Sequence, residues 1–334
     1  MRFRIGSTTF HCVKTPPGFR APSLYWTDTF LTSRVLNEIR PDLVHAWGTE
    51  FGSAAVASRL RYPALVTMQG ILTWLDSVLP LNRNLKISRM VEPGSLEKAH
   101  VVTCESSFAM RYLHDRYPHL KLLQIEHAPS PIFSQVVRQP QPSRVRILCI
   151  GHFSIGKGAD VVLNALAPLV QDVLFEVVWI GAQNHDLEQE LRIKTGGEIW
   201  ERITFKQNLP AGEIAQELAF ATFLLHAARA DNSPNAVKEA VIAGVPVVAT
   251  RTGGVPDYVF PGRNGFLFES GNTDDCRARI RDALAHPQFK QGRVDSETLL
   301  KMREYLSAKT MARKFRDAYA ETLRRDPRAQ TNSQ

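Results

Sequence analysis

The stretch from Ala230 to Phe268 constrains the fold of this chain more than any other. It reads in order as a turn, a helix, a buried strand, a Gly-rich turn, a short second helix and a closing strand. Pro234 suits the first helical position because its missing N–H would have no partner there, and Ser233 before it predicts the N-cap. Gly244 is expected to end the helix, and the apolar run after it is typical of a central parallel strand. The stretch therefore predicts one βαβ-type unit.

The first turn of this helix predicts an anion site. The free N–H groups of Asn235, Ala236 and Val237, together with the positive end of the helix dipole, favour a bound phosphate. Glu239 lies five residues beyond Pro234, which is roughly 7.5 Å along the axis at about 1.5 Å per residue. A carboxylate there could accept hydrogen bonds from a ribose whose diphosphate sits at the helix N-terminus.

A second glycine-rich loop, GHFSIGKGAD, follows the first predicted strand of the second half. Gly151, Gly156 and Lys157 fit a P-loop up to its last position. There Gly158 replaces the Ser or Thr whose hydroxyl would hold magnesium. This substitution argues against a nucleoside triphosphatase.

The order of these motifs resembles glycosyltransferase family four. The family's E-x7-E signature is similar to Asp231 and Glu239, which are separated by seven residues. Its Gly-Gly-x-Pro-Glu loop is similar to the segment that starts at Gly253 and Gly254 and ends at Asp257. Asp231 and Asp257 stand where the family has Glu and keep the charge on a shorter arm. Members are retaining sugar-nucleotide transferases with the GT-B fold. The alternative is an ordinary βαβ unit with a Glu on its solvent face.

The resemblance implies an α/β GT-B fold, with two Rossmann-like domains that face a cleft. Strands alternate with helices from Pro41 onward, which favours parallel sheets. The proline-rich segment 127–143 breaks this periodicity and predicts a domain boundary near Pro140. We expect an acceptor-side domain over 1–140, a donor-binding domain over 141–306, and a C-terminal helix and tail over 307–334 that cross back to the first domain.

The first forty residues differ from the family pattern. A strand is expected over Phe3–Phe10 and a helix over Thr27–Ile39, without the family's Gly-Gly loop. The first domain therefore looks shortened, as if it lacked the usual first βα unit. One hypothesis is a retaining transferase that moves a sugar from a nucleotide-diphosphate donor to a hydroxyl of a glycan or glycolipid. The other is a donor-binding GT-B protein that is inactive or depends on a partner.

The resemblance also assigns roles to residues of the second half. Lys157 would neutralise the donor diphosphate, and Asp231 would hold the transferred sugar and balance an oxocarbenium-like transition state; these two are the expected catalytic residues. Asp231 could instead cap its loop as an Asx turn. His152 stands where the family has Arg and is either a pH-dependent cation or a buried structural residue. The full donor-binding set is Gly151, His152, Lys157, Asn232, Ser233, Asn235, Ala236, Val237, Glu239, Gly253 and Gly254.

Acceptor-side residues are expected at the carboxyl ends of two strands of the first half, where open parallel sheets bind ligands. They are His45 and Trp47 in the first strand, and Gln69 and Gly70 after the next, where the family often has His-Gly. A structural role is the alternative for His45. The segment Ile71–Met90 mixes apolar and basic residues, and is either a membrane-interface or lipid-acceptor surface or a core helix with a solvated basic end.

Charge and composition restrict the kinds of partner that we expect for this chain. The net charge is +8, and the first 140 residues carry 16 Lys and Arg against 10 Asp and Glu, or +6. A basic first half favours an acidic acceptor or peripheral contact with an anionic membrane, although a solvated surface explains it equally well. There is no nucleic-acid-binding module, so no nucleic-acid partner is expected.

Neither a membrane-length apolar run nor a signal-peptide core is present, which predicts a cytoplasmic protein, with peripheral association at the inner face of the membrane as a further hypothesis. The four cysteines are scattered, and the chain has no His-x3-His, Cys pair or Asp-x-Asp motif. We therefore expect no metal and no cofactor, with the nucleotide-diphosphate sugar as a substrate.

Overall fold

A computed structural model describes residues 1–16, 18–141 and 143–326. The chain divides into two compact units, of which the first comprises Met1–Ile125 and Arg313–Gln334 and the second comprises Glu126–Ala312. The division at Ile125 lies earlier than the predicted boundary near Pro140. The end of the predicted tail, from residue 327, lies outside the described residues.

The boundary differs because the proline-rich segment packs on the second unit. Phe133 is buried in an apolar cluster of that unit. The guanidinium of Arg138 donates hydrogen bonds to a group of backbone carbonyls, those of Leu218, Ala219, Ala221 and Gly292. The ammonium of Lys238 donates to the carbonyl of His127 at 3.0 Å. Proline breaks helical periodicity here without making the segment a free linker.

The first unit contains a parallel sheet of four strands in the order β3-β4-β5-β6. Its strands are β1 (Arg2–Ile5), β2 (Thr8–His11), β3 (Val44–Trp47), β4 (Ala64–Met68), β5 (Val101–Cys104) and β6 (Leu122–Gln124). Its helices are α1 (Trp26–Ile39), α2 (Ser53–Ala57), α3 (Leu72–Val78), α4 (Arg83–Glu97) and α5 (Ser107–Arg116).

Two predictions in the first unit need correction. The single strand expected over Phe3–Phe10 is an antiparallel hairpin of β1 and β2, because Gly6 turns the chain with φ +58°. The segment Ile71–Met90, for which a core helix was one alternative, is not one helix but is divided between α3 and α4 around Pro80, which has no backbone N–H to donate. Asn82 caps α4 by accepting the N–H of Leu85 at 2.9 Å.

The second unit contains a parallel sheet of six strands in the order β12-β11-β10-β7-β8-β9. Its strands are β7 (Val145–Ile150), β8 (Phe175–Ile180), β9 (Ile203–Lys206), β10 (Phe223–His226), β11 (Val247–Thr250) and β12 (Gly265–Phe268). Its helices are α6 (Ala159–Leu166), α7 (His185–Thr195), α8 (Ala211–Phe220), α9 (Asn235–Ala243), α10 (Thr273–Ala285) and α11 (Ser296–Tyr305). The strand order reverses between β7 and β10, as in a Rossmann sheet.

Both faces of this second sheet are covered. Along β8, Phe175, Val177 and Trp179 pack in one apolar cluster, whereas Val178 and Ile180 pack in the other. Alternate residues of a strand point to opposite faces, so a strand with buried apolar residues in both alternating sets is covered on both faces. Each such side chain contributes about 1.5–3 kcal/mol when fully buried, and this core fixes the strand ends that carry the site.

One further helix, α12 (Ala308–Arg324), ends the described chain. From Arg313 onward it groups with the first unit, where the ring of Phe315 lies 5.2 Å from that of His45 and 5.6 Å from that of Trp47. Within the part of the chain that the structure describes, no helix is long and apolar enough to cross a membrane.

Candidate functional site

Two loops of the second unit leave its sheet where the strand order reverses. One follows β7 (residues 151–158) and the other follows β10 (residues 227–233). They are joined at Arg229, whose N–H donates to the carbonyl of Gly156 at 2.9 Å and whose guanidinium binds both oxygens of Asp160 at 2.8 Å. Burial alone would raise the pKa of Asp160, but the hydrogen bonds and charge of Arg229 outweigh it and hold that pKa below its usual value. The two loops therefore form one braced edge, the place where Rossmann sheets bind ligands.

The two residues predicted to be catalytic meet at this edge. The Nζ atom of Lys157 lies 2.6 Å from Oδ2 of Asp231, although the two residues come from different loops. The lysine side chain is 37% exposed and the aspartate 15%. The carbonyl of Asp231 also accepts the N–H of Gly254 at 3.3 Å. A partly exposed ion pair of this kind contributes little to stability, so an anionic ligand can replace the aspartate as the partner of Lys157.

A histidine that the sequence analysis missed lies behind this pair. His226 is the last residue of β10, is 5% exposed, and has its Nε2 atom 3.6 Å from Oδ2 of Asp231. Among the described residues this buried nitrogen has no hydrogen-bond partner. Burial is the main cause that lowers the pKa of His226 to about 4; the charge of Asp231 opposes this shift and the charge of Lys157 adds to it, so the imidazole is neutral near pH 7. Its position at the carboxyl end of a central strand was a signal that could have found it.

The start of α9 is one residue later than predicted. Its N-cap is Pro234 rather than Ser233, whose hydroxyl is hydrogen-bonded to the hydroxyl of Tyr258 at 3.0 Å. The N–H of Lys238 makes the first bond of the helix, to the carbonyl of Pro234 at 3.1 Å. The N–H groups of Asn235, Ala236 and Val237 thus precede the intrahelical ladder, and Asn235 is exposed. The donors of the predicted anion site are therefore not used by the helix itself, and anion binding there stays a prediction.

Glu239 lies one turn into α9 and is half-buried. Burial raises the pKa of its carboxyl, and the charge of the neighbouring Lys238 acts in the opposite direction. Lys238 itself is completely buried. Glu239 is thus a partly desolvated carboxylate, which strengthens any hydrogen bond that it accepts.

The remaining donor-side residues lie in the loops around this pair. His152 is exposed, which removes the alternative of a buried structural histidine, and Asn232 is 5% exposed. The carbonyl of Gly151 accepts the indole N–H of Trp179 at 2.9 Å. Gly253 has φ +50°, a backbone conformation that favours glycine. Their roles in binding stay predictions.

The predicted acceptor-side residues lie in the first unit. Burial lowers the pKa of His45 to about 4, and its Nε2 and Nδ1 atoms lie 2.7 Å and 3.1 Å from the hydroxyls of Thr67 and Tyr319. Both ring nitrogens are thus occupied, which supports the structural alternative for this residue. Trp47 is 39% exposed, and Gln69 and Gly70 follow β4.

Two carboxyl groups missed by the sequence analysis lie beside these strand ends. Glu50 accepts the N–H groups of Thr49, at 2.8 Å, and of Gly70. Glu92 is 2% exposed and accepts the hydroxyl of Thr49 at 2.6 Å. Burial raises the pKa of Glu92 to about 7, despite the hydrogen bonds that it accepts. Sequence spacing gave no signal for this pair, which comes from a loop and a helix 42 positions apart.

A metal site was not expected. Among residues 1–16, 18–141 and 143–326, no group of three His, Cys, Asp or Glu side chains could hold a metal ion. A reaction that is independent of metal stays a prediction.

Two α/β units with parallel sheets, the second with a reversed strand order, define the GT-B class. In agreement, the chain superposes on Anabaena HepE, solved in complex with UDP and glucose, with a TM-score of 0.71 and 17% identity over 87% of this chain and 81% of that one. Residues 144–286 match the model for Glycosyl transferases group 1, and residues 6–126 match the model for Glycosyltransferase Family 4. The chain belongs to glycosyltransferase family four.

Two curated relatives show the same relationship. A sulfoquinovosyl transferase of Arabidopsis thaliana is 23% identical over 306 residues, which are 84% of this chain and 56% of the relative. A GDP-mannose-dependent alpha-(1-6)-phosphatidylinositol monomannoside mannosyltransferase of Mycolicibacterium smegmatis is 26% identical over 211 residues, 57% of this chain and 54% of the relative. The chain spans about half the length of these relatives.

Proposed function

We propose that this chain transfers a sugar from a nucleotide-diphosphate donor, with retention, to a hydroxyl of a glycan or lipid-linked acceptor. The observation that carries the proposal is the contact between Lys157 and Asp231 at the reversal point of the second sheet. The cation and the carboxylate lie on one edge of the sheet, in the same unit as the N-terminus of α9. This arrangement suits a substrate that carries both a diphosphate and a polyhydroxylated ring.

Each residue then has a distinct role. Lys157 and the first-turn N–H groups of α9 bind the diphosphate and stabilise its charge as the bond to the anomeric carbon breaks. Glu239 accepts hydrogen bonds from the ribose, and Asp231 from hydroxyls of the transferred sugar. The acceptor oxygen attacks on the face that the diphosphate leaves, and the departing phosphate oxygen takes the acceptor proton. This scheme needs no protein base.

The names of the relatives support a nucleotide sugar but not a particular base. The mycobacterial relative is named as GDP-mannose-dependent, and HepE was solved with UDP. Calorimetry with UDP, GDP, ADP, UDP-glucose and GDP-mannose therefore tests the proposal. The wild-type protein is expected to bind the nucleotides of one base, uridine, guanosine or adenosine. Glu239→Gln is expected to bind the same nucleotides at least tenfold more weakly, since a hydrogen bond to a charged group contributes roughly 1.5–3 kcal/mol.

A matched control is Glu190→Gln, which changes an exposed glutamate on α7 that pairs with Lys194. It should leave donor affinity unchanged. No binding by the wild type would remove the donor site. Tight binding without hydrolysis or transfer to any acceptor would support the inactive or partner-dependent alternative.

The first unit supports peripheral membrane contact and a lipid-linked acceptor as part of this proposal. Trp26 and Phe30 on α1 are 59% and 57% exposed, and the guanidinium groups of Arg59 and Arg34 lie 4.4 Å from their ring centroids. Aromatic rings flanked by arginines suit an anionic membrane interface. The name of the mycobacterial relative includes a phosphatidylinositol mannoside.

Co-sedimentation with vesicles tests this contact. We expect binding to phosphatidylglycerol vesicles that falls with salt and is weakened by Trp26→Ser but not by Ile193→Ser, which alters an 87% exposed residue of α7 in the second unit. Equal binding of both variants would contradict it.

A further inference from the structure

The contact between Lys157 and Asp231 creates a problem for the proposed donor complex. The two side chains are paired at 2.6 Å in the structure, yet the proposed function requires Lys157 to bind a diphosphate. Once the lysine turns to the phosphate, Asp231 loses its cation. Its side chain is only 15% exposed, so water replaces that partner poorly, and a buried carboxylate without a donor is costly.

One group is placed to replace the lysine. The Nε2 atom of His226 faces the same oxygen, Oδ2 of Asp231, at 3.6 Å. This is beyond hydrogen-bond distance, and a shift of less than about 1 Å would bring it to the 2.7–2.9 Å typical of an N–H on a carboxylate.

The surroundings of His226 leave that nitrogen available. Its partner across the sheet is Ala249 on β11, which has no polar side chain. Lys157 and Asp231 are the charged groups that act on the imidazole. The Nε2 atom, buried and unpaired among the described residues, is therefore directed at the site and at no structural partner.

We propose that His226 is a positioning residue, whose neutral imidazole donates its Nε2 hydrogen to Asp231 when the donor diphosphate takes Lys157. The inference rests on the proposed function and adds a residue to that site. No proton is transferred and no covalent bond changes in this step. Lys157 exchanges a carboxylate for a phosphate, and Asp231 exchanges an ammonium for an imidazole N–H. The backbone of Asp231, held by Gly254, stays in place while its carboxylate keeps a hydrogen-bond donor and its orientation toward the sugar.

Two substitutions at this position separate the hydrogen bond from packing. His226→Phe keeps a ring of similar size without a donor, and His226→Gln keeps an amide N–H close to the place of Nε2. With the nucleotide sugar that the wild type uses, we expect the Phe variant to lose roughly 10- to 100-fold in kcat, as for one hydrogen bond to a charged group. The Gln variant should stay within about threefold. Affinity for UDP or GDP should fall in the Phe variant and stay within about threefold in the Gln variant, because the diphosphate of the nucleotide alone already takes Lys157 from Asp231.

The tautomer of His226 is a second readout that needs no active variant. In protein with ¹⁵N-labelled histidine, the ring signals that are missing from His226→Gln belong to His226. We expect them to report hydrogen on Nε2 in the presence of UDP or GDP, with the Nε2 shift changing as the nucleotide is added. If the Phe variant fails to fold, this measurement still shows whether Nε2 of His226 carries the hydrogen that the proposal requires.

The outcomes distinguish this inference from the proposed function. Normal turnover by His226→Phe, equal losses in the Phe and Gln variants, or hydrogen on Nδ1 in the nucleotide complex would each overturn the role of His226 and leave the transferase intact. Absence of nucleotide binding by the wild type would remove the donor site and this inference together.

Discussion

Gly158 is the point at which the loop that carries Lys157 touches the end of β10. It has φ +74°, and a Cβ atom placed there would lie 2.0 Å from the carbonyl oxygen of Ala227. Real Cβ atoms essentially never come closer than 3.0 Å to a heavy atom, so Gly158→Ala must separate the two backbones by about 1 Å. The left-handed conformation costs an L-residue roughly 1–2 kcal/mol and overpacking about 1–3 kcal/mol. We therefore expect a loss of about 2–5 kcal/mol in the free energy of unfolding.

The same displacement should affect turnover. Because Lys157 precedes Gly158 directly, a shift of about 1 Å there is expected to cost roughly 100-fold in kcat. Urea unfolding and initial-rate assays measure the two effects. Gly262→Ala is the control, since Gly262 has the same φ of +74° but no heavy atom within 4 Å of the added Cβ. It should lose only about 1–2 kcal/mol. Equal destabilisation of the two variants would refute the steric argument, and wild-type turnover in Gly158→Ala would refute the placement of Lys157.

Further predictions concern charge. Because burial raises the pKa of Glu92 to about 7, its contribution to the stability of the first unit is complete below the usual pKa of a glutamate and is lost as the pH rises through 7. Urea unfolding should show a fall of roughly 2.5 kcal/mol between pH 5 and 8. Glu92→Gln should abolish this fall, and the same fall in that variant would show that Glu92 is not its source. Burial also raises the pKa of Glu239 and so disfavours its charged form in the folded state. Glu239→Gln should therefore leave thermal stability at pH 8 unchanged or higher while it weakens donor binding, and a lower Tm would count against this. Lys157→Met should reduce kcat more than donor affinity, and a loss confined to affinity would refute the assigned role. The same variant should raise the pKa of His226 above about 4, since the lysine charge lowers it, whereas Asp231→Asn should lower it; an NMR titration that gave the reverse order would refute the assigned contacts.

Buried parallel strands were the most predictable part of this fold. The largely apolar runs Ala64–Met68, Val145–Ile150 and Phe175–Ile180 are all strands, as the alternation of strands and helices predicted. Such strands are apolar at successive positions because both faces of the sheet are covered. The end of α9 was equally clear, since Gly244 adopts φ +77°, which a glycine accommodates without strain.

Features that depend on contacts between distant parts of the chain were less predictable. Serine is a residue type favoured at N-caps, but the hydroxyl of Ser233 is hydrogen-bonded to that of Tyr258 and the helix starts one residue later than predicted. The proline-rich composition of the segment 127–143 fits a free linker and a packed irregular segment equally well. The carbonyls that bind Arg138 lie about 80 and 154 positions away in the sequence. For the candidate site, the motifs named Lys157 and Asp231 separately, whereas their contact follows from the geometry of two loops that are distant in the sequence.

The hydrogen bonds that Arg138 donates determine where a fragment containing only the second unit should begin. A fragment that begins at residue 141 would leave the C-terminal carbonyls of α8 without the guanidinium that binds them, and would open the apolar pocket filled by Phe133. A fragment that begins at Glu126 and ends at Ala312 keeps both contacts. The limits of an expressed fragment should therefore be set by the contacts of the segment before residue 141, and not by the position of its prolines.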